Sequence, residues 1–284
     1  MNPIAHRRGV GADVHVPALL HGTHNSHWLD DALGGEVAET ALSESVVGTP
    51  DVWRLRARGC WAEAAALLAP HCANDPGAAR QRAEILIEGC FYHLDGWAEA
   101  EDALRVAEAM AGTDEERGAA ASERGYLAYG ATLHHVRDRA DEARSAFGRS
   151  AALLSPSSPG RPLLDFRRGL VAEHIAANPA AARAAYRRAH AGAVAHGNTF
   201  LTSFTWRHLA GLAAADGDIA EARHGFAESL RLRVTLGHLV GTAPALLSLA
   251  EVSPDDEAAP LRAEATRLFT LLGAIPTWLA PSLR

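Results

Sequence analysis

One stretch of the sequence, FTWRHLAGLAAADGDIAEARHGFAESLRL at 204–232, has the pattern of two antiparallel helices joined by a short turn. Large and small residues recur in its first half at the i, i+3, i+4, i+7 spacing of one helix face: Trp206, Leu209, Ala210 and Ala213. Gly217 and Asp218 mark a turn, after which Ala222, Phe226 and Ser229 share a face of the second helix. The unit therefore predicts a helical hairpin.

The second half of this unit recurs along the chain. Four earlier segments repeat the alanine followed four residues later by a large residue: Ala64 with Leu68, Ala100 with Leu104, Ala143 with Phe147, and Ala182 with Tyr186. Five units thus cover about 50–235, and GTAPALLSLAEV with PLRAEATRLFTLLG forms a degenerate sixth pair at the C-terminus. The small residues allow two helix backbones to approach closely while the large residue fills the space beside them.

These units resemble the tetratricopeptide repeat family, whose signature places a large residue, Leu and a small residue on one helix, and Ala, an aromatic and a small residue on the next. The resemblance implies an all-α solenoid of about five to six antiparallel hairpins with a concave groove, over 49–284, preceded by an irregular or helical cap at 1–48. The alanines lie 36, 43, 39 and 40 residues apart, more than the 34 of the strict family. Lengthened units of this kind are similar to the degenerate arrays of bacterial transcription regulators.

Capping signals support several helix boundaries. Thr113 with Glu116 has the spacing of a capping box. Thr49, Asn178 and Ser253 each precede a proline, a combination that favours a helix beginning there.

Composition and charge exclude several classes of function. The net charge of −7 argues against a nucleic-acid partner, because such binding depends mainly on a basic surface. The first fifty residues contain no convincing helix-turn-helix, and no apolar run approaches the roughly 18 residues of a membrane span. We therefore expect a cytoplasmic protein with no membrane partner.

Cys60, Cys72 and Cys90 lack a metal-binding spacing and are predicted to be reduced, partly buried thiols.

The resemblance also implies which residues face the groove. In the family's register, one inward position of successive first helices is held by Tyr92, His135, His174 and Ala214, and a second by Ile85, Ala128, Arg167 and Arg207. Beside these rows are His93, His134 and His208. Rings and guanidinium groups suit a carboxylate-bearing peptide, since arginine binds carboxylates in bidentate geometry. The alternative is a solvated concave face with no ligand.

Histidines are concentrated near the N-terminus. The segment HGTHNSHW at 21–28 follows another histidine, and the candidate metal ligands are His15, His21, His24, His27 and Asp31. His27 and Asp31 have i, i+4 spacing, so with His15 they could form a site of two histidines and one carboxylate for Zn²⁺ or Fe²⁺. The alternative is a polar segment that caps the first repeat, as the ends of repeat arrays require.

No familiar catalytic motif is present: HExxH, G-x-S-x-G, the P-loop and G-x-G-x-x-G are all missing. The pairs Glu173–His174 and His134–His135 with Asp138 could act as acid–base groups. The sequence nevertheless favours a binding protein that holds a peptide, a protein segment or a small effector, in regulation or assembly, without a cofactor. The alternatives are an enzyme of specialised metabolism that uses the groove histidines or the N-terminal metal site, and a structural adaptor without a discrete pocket.

Overall fold

The computed structural model describes residues 50–279, and the regular structure within this range is helical. Twelve α-helices follow one another: α1 (Pro50–Ala57), α2 (Trp61–Leu68), α3 (Pro76–His93), α4 (Trp97–Met110), α5 (Asp114–Leu133), α6 (Ala140–Leu153), α7 (Arg161–Leu170), α8 (Pro179–Ala195), α9 (Thr199–Ala215), α10 (Ile219–Thr235), α11 (Leu239–Glu251) and α12 (Asp255–Leu271). A 3₁₀ turn, Ala69–His71, follows α2, and a π-helical turn, Val171–Ile175, continues α7.

Each odd-numbered helix packs most extensively against the even-numbered helix that follows it. The predicted all-helical architecture of paired neighbouring helices is therefore confirmed. Among residues 50–279, no helix has the length and apolar character needed to cross a membrane.

The repeat register identified in the sequence determines how the hairpins pack. The repeated alanine and large residue are buried in all five units: Ala64, Leu68, Ala100, Leu104, Ala143, Phe147, Ala182, Tyr186, Ala222 and Phe226. The Phe147 ring of α6 lies so close to Gly125 of α5 that a Cβ atom there would stand 2.5 Å from it, and Tyr186 of α8 is equally close to Gly169 of α7. The aromatic residues of these second helices thus require glycine on the first helices.

The capping predictions are confirmed at two helices and wrong at a third, and the predicted cap Thr49 lies outside the described residues. Thr113 and Glu116 form a reciprocal capping box at α5, and the Asn178 side chain accepts a hydrogen bond from the Ala181 N–H at α8. The third prediction fails because α12 begins at Asp255, with Pro254 as its N-cap. The Ser253 hydroxyl instead donates to the Leu249 carbonyl of α11.

The cysteine prediction also holds, since all three are free and two of them are buried.

The first hairpin contacts the fifth and sixth hairpins, although they are far apart in sequence. Trp53 of α1 donates its indole N–H to the Leu236 carbonyl after α10, at 3.1 Å, and its ring meets Phe200 of α9 edge-on. Helix α1 also packs against α11. Polar side chains of the odd-numbered helices consequently meet one another on what we call the inner face, where the pairs are Arg56 with Glu88, Arg167 with Glu123, and His208 with Glu173.

Candidate functional site

Four of the eight predicted groove residues lie near one another on the inner face: Tyr92 and His174 at the C-terminal ends of their helical segments, and Arg207 and His208 in the middle of α9. The rings of His174 and His208 are 5.9 Å apart. The charge of Arg207 reaches both His208 and Tyr92: it adds to the effect of burial that lowers the pKa of His208, and it opposes the effect of burial that raises the pKa of Tyr92. These residues belong to what we call the polar centre of the inner face, to which α3, α5, the π-helical turn after α7, α8, α9 and α10 contribute.

The π-helical turn Val171–Ile175 positions the first part of this centre. Within it the Ala176 N–H donates to the Val171 carbonyl, five residues back, at 2.9 Å. A π turn adds a residue to the helical cycle and changes the direction of the side chains it carries. Glu173 consequently reaches Tyr186 of α8 and His208 of α9, whereas His174 reaches Tyr129 of α5.

Five residues form what we call the histidine cluster: Tyr129, Glu173, His174, Tyr186 and His208. The Glu173 carboxylate accepts a hydrogen bond from the Tyr186 hydroxyl at 2.5 Å and another from His208 Nδ1 at 3.1 Å. His174 Nδ1 lies 3.1 Å from the Leu170 carbonyl and 3.0 Å from the Tyr129 hydroxyl. Because the carbonyl can only accept, Nδ1 of His174 carries the proton and Nε2 keeps its lone pair.

Burial and hydrogen bonding determine the charge of the cluster. Burial alone raises the pKa of Glu173, but hydrogen bonds from His208 and Tyr186 outweigh it and lower that pKa to about 2. Burial lowers the pKa of His208 to about 4, with a further contribution from the charge of Arg207, against the opposing effect of Glu173. Near neutral pH the cluster therefore holds an ionised carboxylate and a neutral His208.

Beside the histidine cluster lie two guanidinium groups without a carboxylate partner among residues 50–279, Arg207 and Arg233. Arg207 is half-buried on α9 and makes no hydrogen bond or ion pair with the described residues. Arg233 of α10 is 2% exposed and donates one hydrogen bond, to the Gly241 carbonyl at 2.6 Å. Its guanidinium carbon lies 4.6 Å from the centre of the Phe204 ring. Its Nε and one terminal nitrogen have no hydrogen-bond partner among the described residues. Burial, together with the charge of Arg207, lowers the pKa of Arg233 to about 10. An uncompensated positive charge is thus built into the inner face.

Comparison with known proteins supports the fold. No protein-family model matches the sequence, and no curated protein matches it. Among solved structures, the chain is similar to BtubC (BKLC) from P. vanneervenii, with a TM-score of 0.51, 13% sequence identity, and coverage of 77% of this chain and 91% of that one. At this identity the likeness concerns the helical architecture alone, and the resemblance to the tetratricopeptide family stays a prediction.

The other four groove candidates lie outside the polar centre. Arg167 is 3% exposed and donates to both carboxylate oxygens of Glu123, so its charge is already paired. His134 packs edge-on against Phe91, and His93 packs edge-on against Trp61. His135 is exposed in the loop after α5, with a φ of 57°. Four of the eight candidates thus lie in the polar centre, and the other four are paired, packed against aromatic rings or exposed elsewhere.

Three residues of the centre were not singled out from the sequence. The sequence predicts Tyr186 as a packing aromatic; its ring does pack on Gly169, while its hydroxyl also donates a hydrogen bond to Glu173. Tyr129 lies one helical position beyond the predicted rows, and Arg233 belongs to a second helix, which the family register does not place in a groove. Their positions depend on contacts between hairpins, for which the repeat pattern contains no signal.

The N-terminal metal candidates, His15, His21, His24, His27 and Asp31, lie outside the described residues, as does the segment 1–48 predicted as a cap.

Proposed function

We propose that this protein is a tetratricopeptide-like α-solenoid that binds an acidic peptide, a protein segment or a small anionic effector on its concave inner face, in regulation or assembly. The observation that carries the proposal is Arg207, a half-buried guanidinium with no acidic partner among the described residues. The paired helices and the likeness to BtubC support the scaffold.

The charge distribution favours an anionic group as the ligand. Burial lowers the pKa of Arg233, and the positive charge of Arg207 contributes to the same shift, so the two guanidinium groups repel each other. A carboxylate placed between Arg207 and solvent relieves this repulsion and forms a charge-assisted hydrogen bond, which contributes roughly 1.5–3 kcal/mol. The charge of Arg207 also acts on the Tyr92 and Tyr129 hydroxyls, where it opposes the effect of burial that raises their pKa values.

The repeat architecture favours an extended peptide segment as the ligand. Two surface hollows of the described residues, of 260 and 210 Å³, lie away from the polar centre, one between α5 and α6 and the other between α3 and α4. Repeat proteins bind extended segments along a surface more often than they enclose a ligand.

An array of random decapeptides tests the proposal. We expect bound peptides to be enriched in Asp and Glu. For the strongest binder, Arg207→Gln should weaken the affinity at least about tenfold in fluorescence anisotropy, since a charge-assisted contact is removed. Arg187→Gln, on the exposed surface of α8, is the matched control and should bind as the unaltered protein does. Absence of acidic enrichment, or equal binding by both variants, would contradict the proposal.

The second candidate is an enzyme that uses the same histidines for acid–base chemistry. The contact between Glu173 and His208 favours it, since a carboxylate beside an imidazole is a common arrangement for proton transfer. Proton transfer near neutral pH works best with a group whose pKa lies close to that pH. Burial lowers the pKa of His208 to about 4, well below that range. Binding is therefore the function that this centre supports better.

A further inference from the structure

We infer that Glu173, His174 and His208 form a binding site for one divalent transition-metal ion such as Zn²⁺. The site goes beyond the proposed peptide-binding function, because its ligand is a cation held by the histidine cluster and not an anion held by Arg207.

Convergence of the three side chains is the first argument. One ligand atom from each residue lies within 4.8 Å of the others. Around a tetrahedral zinc ion with bonds of 2.0–2.1 Å, ligand atoms stand about 3.3 Å apart. His174 can close the remaining distance by side-chain rotation, since a third of its side chain is exposed.

The hydrogen bonds around the three residues are the second argument. Metal-binding histidines usually donate their other ring N–H to a carbonyl or a carboxylate, which fixes the tautomer and ring orientation. His174 Nδ1 meets the Leu170 carbonyl, and the Tyr186 hydroxyl holds Glu173. The two segments that carry the ligands, the π turn and α9, are fixed in the fold by contacts on both sides.

The histidine cluster is exposed enough for a metal ion to enter it from solvent. The side chains of His174 and Glu173 are 33% and 23% exposed, whereas His208 is only 10% exposed. Two histidines and one carboxylate with open positions is an arrangement that proteins use for zinc and iron. The site can therefore take up an ion without unfolding and keep coordination positions for water or another ligand.

Metal binding should be measured in the full chain after His15, His21, His24 and His27 have been replaced by alanine, because those residues could bind metal independently. Equilibrium dialysis against Zn²⁺ should leave one equivalent per chain. Co²⁺ should give the visible absorption of a protein-bound ion. The decisive variant is His174→Ala, since this residue is partly exposed and its removal should leave the helical circular dichroism unchanged.

Four variants distinguish zinc binding at this site from zinc binding elsewhere on the protein. His174→Ala and His208→Gln should each weaken Zn²⁺ binding at least about tenfold, and Tyr186→Phe, which removes only a supporting hydrogen bond, should weaken it about tenfold. His190→Ala is the matched control: His190 packs against Trp206 and contacts Thr205, outside the cluster, and zinc affinity should not change.

Arg207→Gln distinguishes the two proposals. Removal of a nearby positive charge should leave zinc affinity equal or higher, whereas it should abolish most of the binding of an acidic peptide. Loss of peptide binding with retained zinc supports both assignments. No stoichiometric zinc in the chain lacking the four N-terminal histidines, or equal affinities for His174→Ala and His190→Ala, overturns the metal site and leaves the peptide experiment unaffected.

Discussion

Two buried arginines on neighbouring parts of the inner face have opposite surroundings. Arg167 is 3% exposed and donates to both oxygens of Glu123, at 2.9 and 2.7 Å, and to the Ser122 hydroxyl. Arg233 is 2% exposed and has a single hydrogen bond, to the Gly241 carbonyl. The fold accounts for the first charge, whereas the second is left uncompensated beside Arg207. Both arginines are buried, so burial does not distinguish a structural arginine from a candidate binding residue. The presence or absence of a carboxylate partner does.

The same contrast divides the charged residues of the inner face into two groups, which we call the paired side and the unpaired side. The paired side consists of Arg56, Glu84, Glu88, Glu123 and Arg167, and the unpaired side consists of Arg207 and Arg233. Arg56 contacts Glu88 at 2.5 Å and Glu84 at 2.9 Å. Substitutions on the two sides should therefore differ in the size and even the sign of their effect on stability.

The largest effect is expected at Glu123. Glu123→Gln leaves the Arg167 charge buried without a counter-ion, and removal of one partner of a buried pair costs about 3–5 kcal/mol of unfolding free energy. Arg167→Met should cost a similar amount, because it leaves the carboxylate unpaired. Urea unfolding measures both.

Glu228→Gln is the control for this prediction. Glu228 pairs with Arg231 on the exposed surface of α10, where an ion pair contributes at most about 1 kcal/mol. If Glu123→Gln is no more destabilising than Glu228→Gln, the paired side does not stabilise the fold.

The next effect concerns acid stability. Burial alone raises the pKa of Glu84, but the charges of Arg56 and Arg80 outweigh it and lower the pKa from 4.5 to about 2. A lowered pKa contributes stability that is present above pH 4.5 and is lost as pH falls from about 4.5 to 2, by up to about 3 kcal/mol. The measurement is the unfolding free energy between pH 7 and pH 2.5.

Glu84→Gln provides the comparison for the acid prediction. This variant should be less stable at pH 7 and should lose less stability on acidification, because it has no carboxylate to protonate. Parallel pH profiles for the two proteins would show that the acid loss arises elsewhere.

The sequence predicted the architecture better than the site, for a physical reason. Ala182 and Tyr186 lie one turn apart on the same helix, so their packing against α7 follows from local periodicity. The pairing of Arg167 with Glu123 joins α7 to α5, and the contact of Trp53 with Leu236 joins α1 to the segment after α10. Such contacts depend on how successive hairpins are rotated, which repeat intervals of unequal length do not determine.

The histidine cluster shows the same limit. The sequence predicts Glu173 and His174 as an acid–base pair, and His174 and His208 as groove residues. Their convergence depends on the π turn at Val171–Ile175, and the segment LVAEHI carries no proline or glycine that predicts a π turn. The sequence therefore predicts which side chains have suitable chemistry, but it does not predict the direction in which the π turn orients them.

The smallest effect on stability is expected at Arg233. Arg233→Met removes an uncompensated charge and one hydrogen bond, and leaves no buried carboxylate behind. Loss of the bond to Gly241 costs about 1 kcal/mol, and relief of charge burial acts in the opposite direction. The methionine sulfur can also pack on Phe204, where the guanidinium now lies. The unfolding free energy should consequently stay within about 1 kcal/mol of that of the unaltered protein.

Arg167→Met is the matched control for Arg233→Met, since the two replacements are identical and both arginines are buried. A large loss for Arg167→Met with a small change for Arg233→Met confirms that the two sides differ in pairing. Equal losses would mean that Arg233 stabilises the fold as Arg167 does. In that case Arg207 would be the only guanidinium among the described inner-face residues left to attract an anion, and the peptide affinity of Arg233→Met should equal that of the unaltered protein.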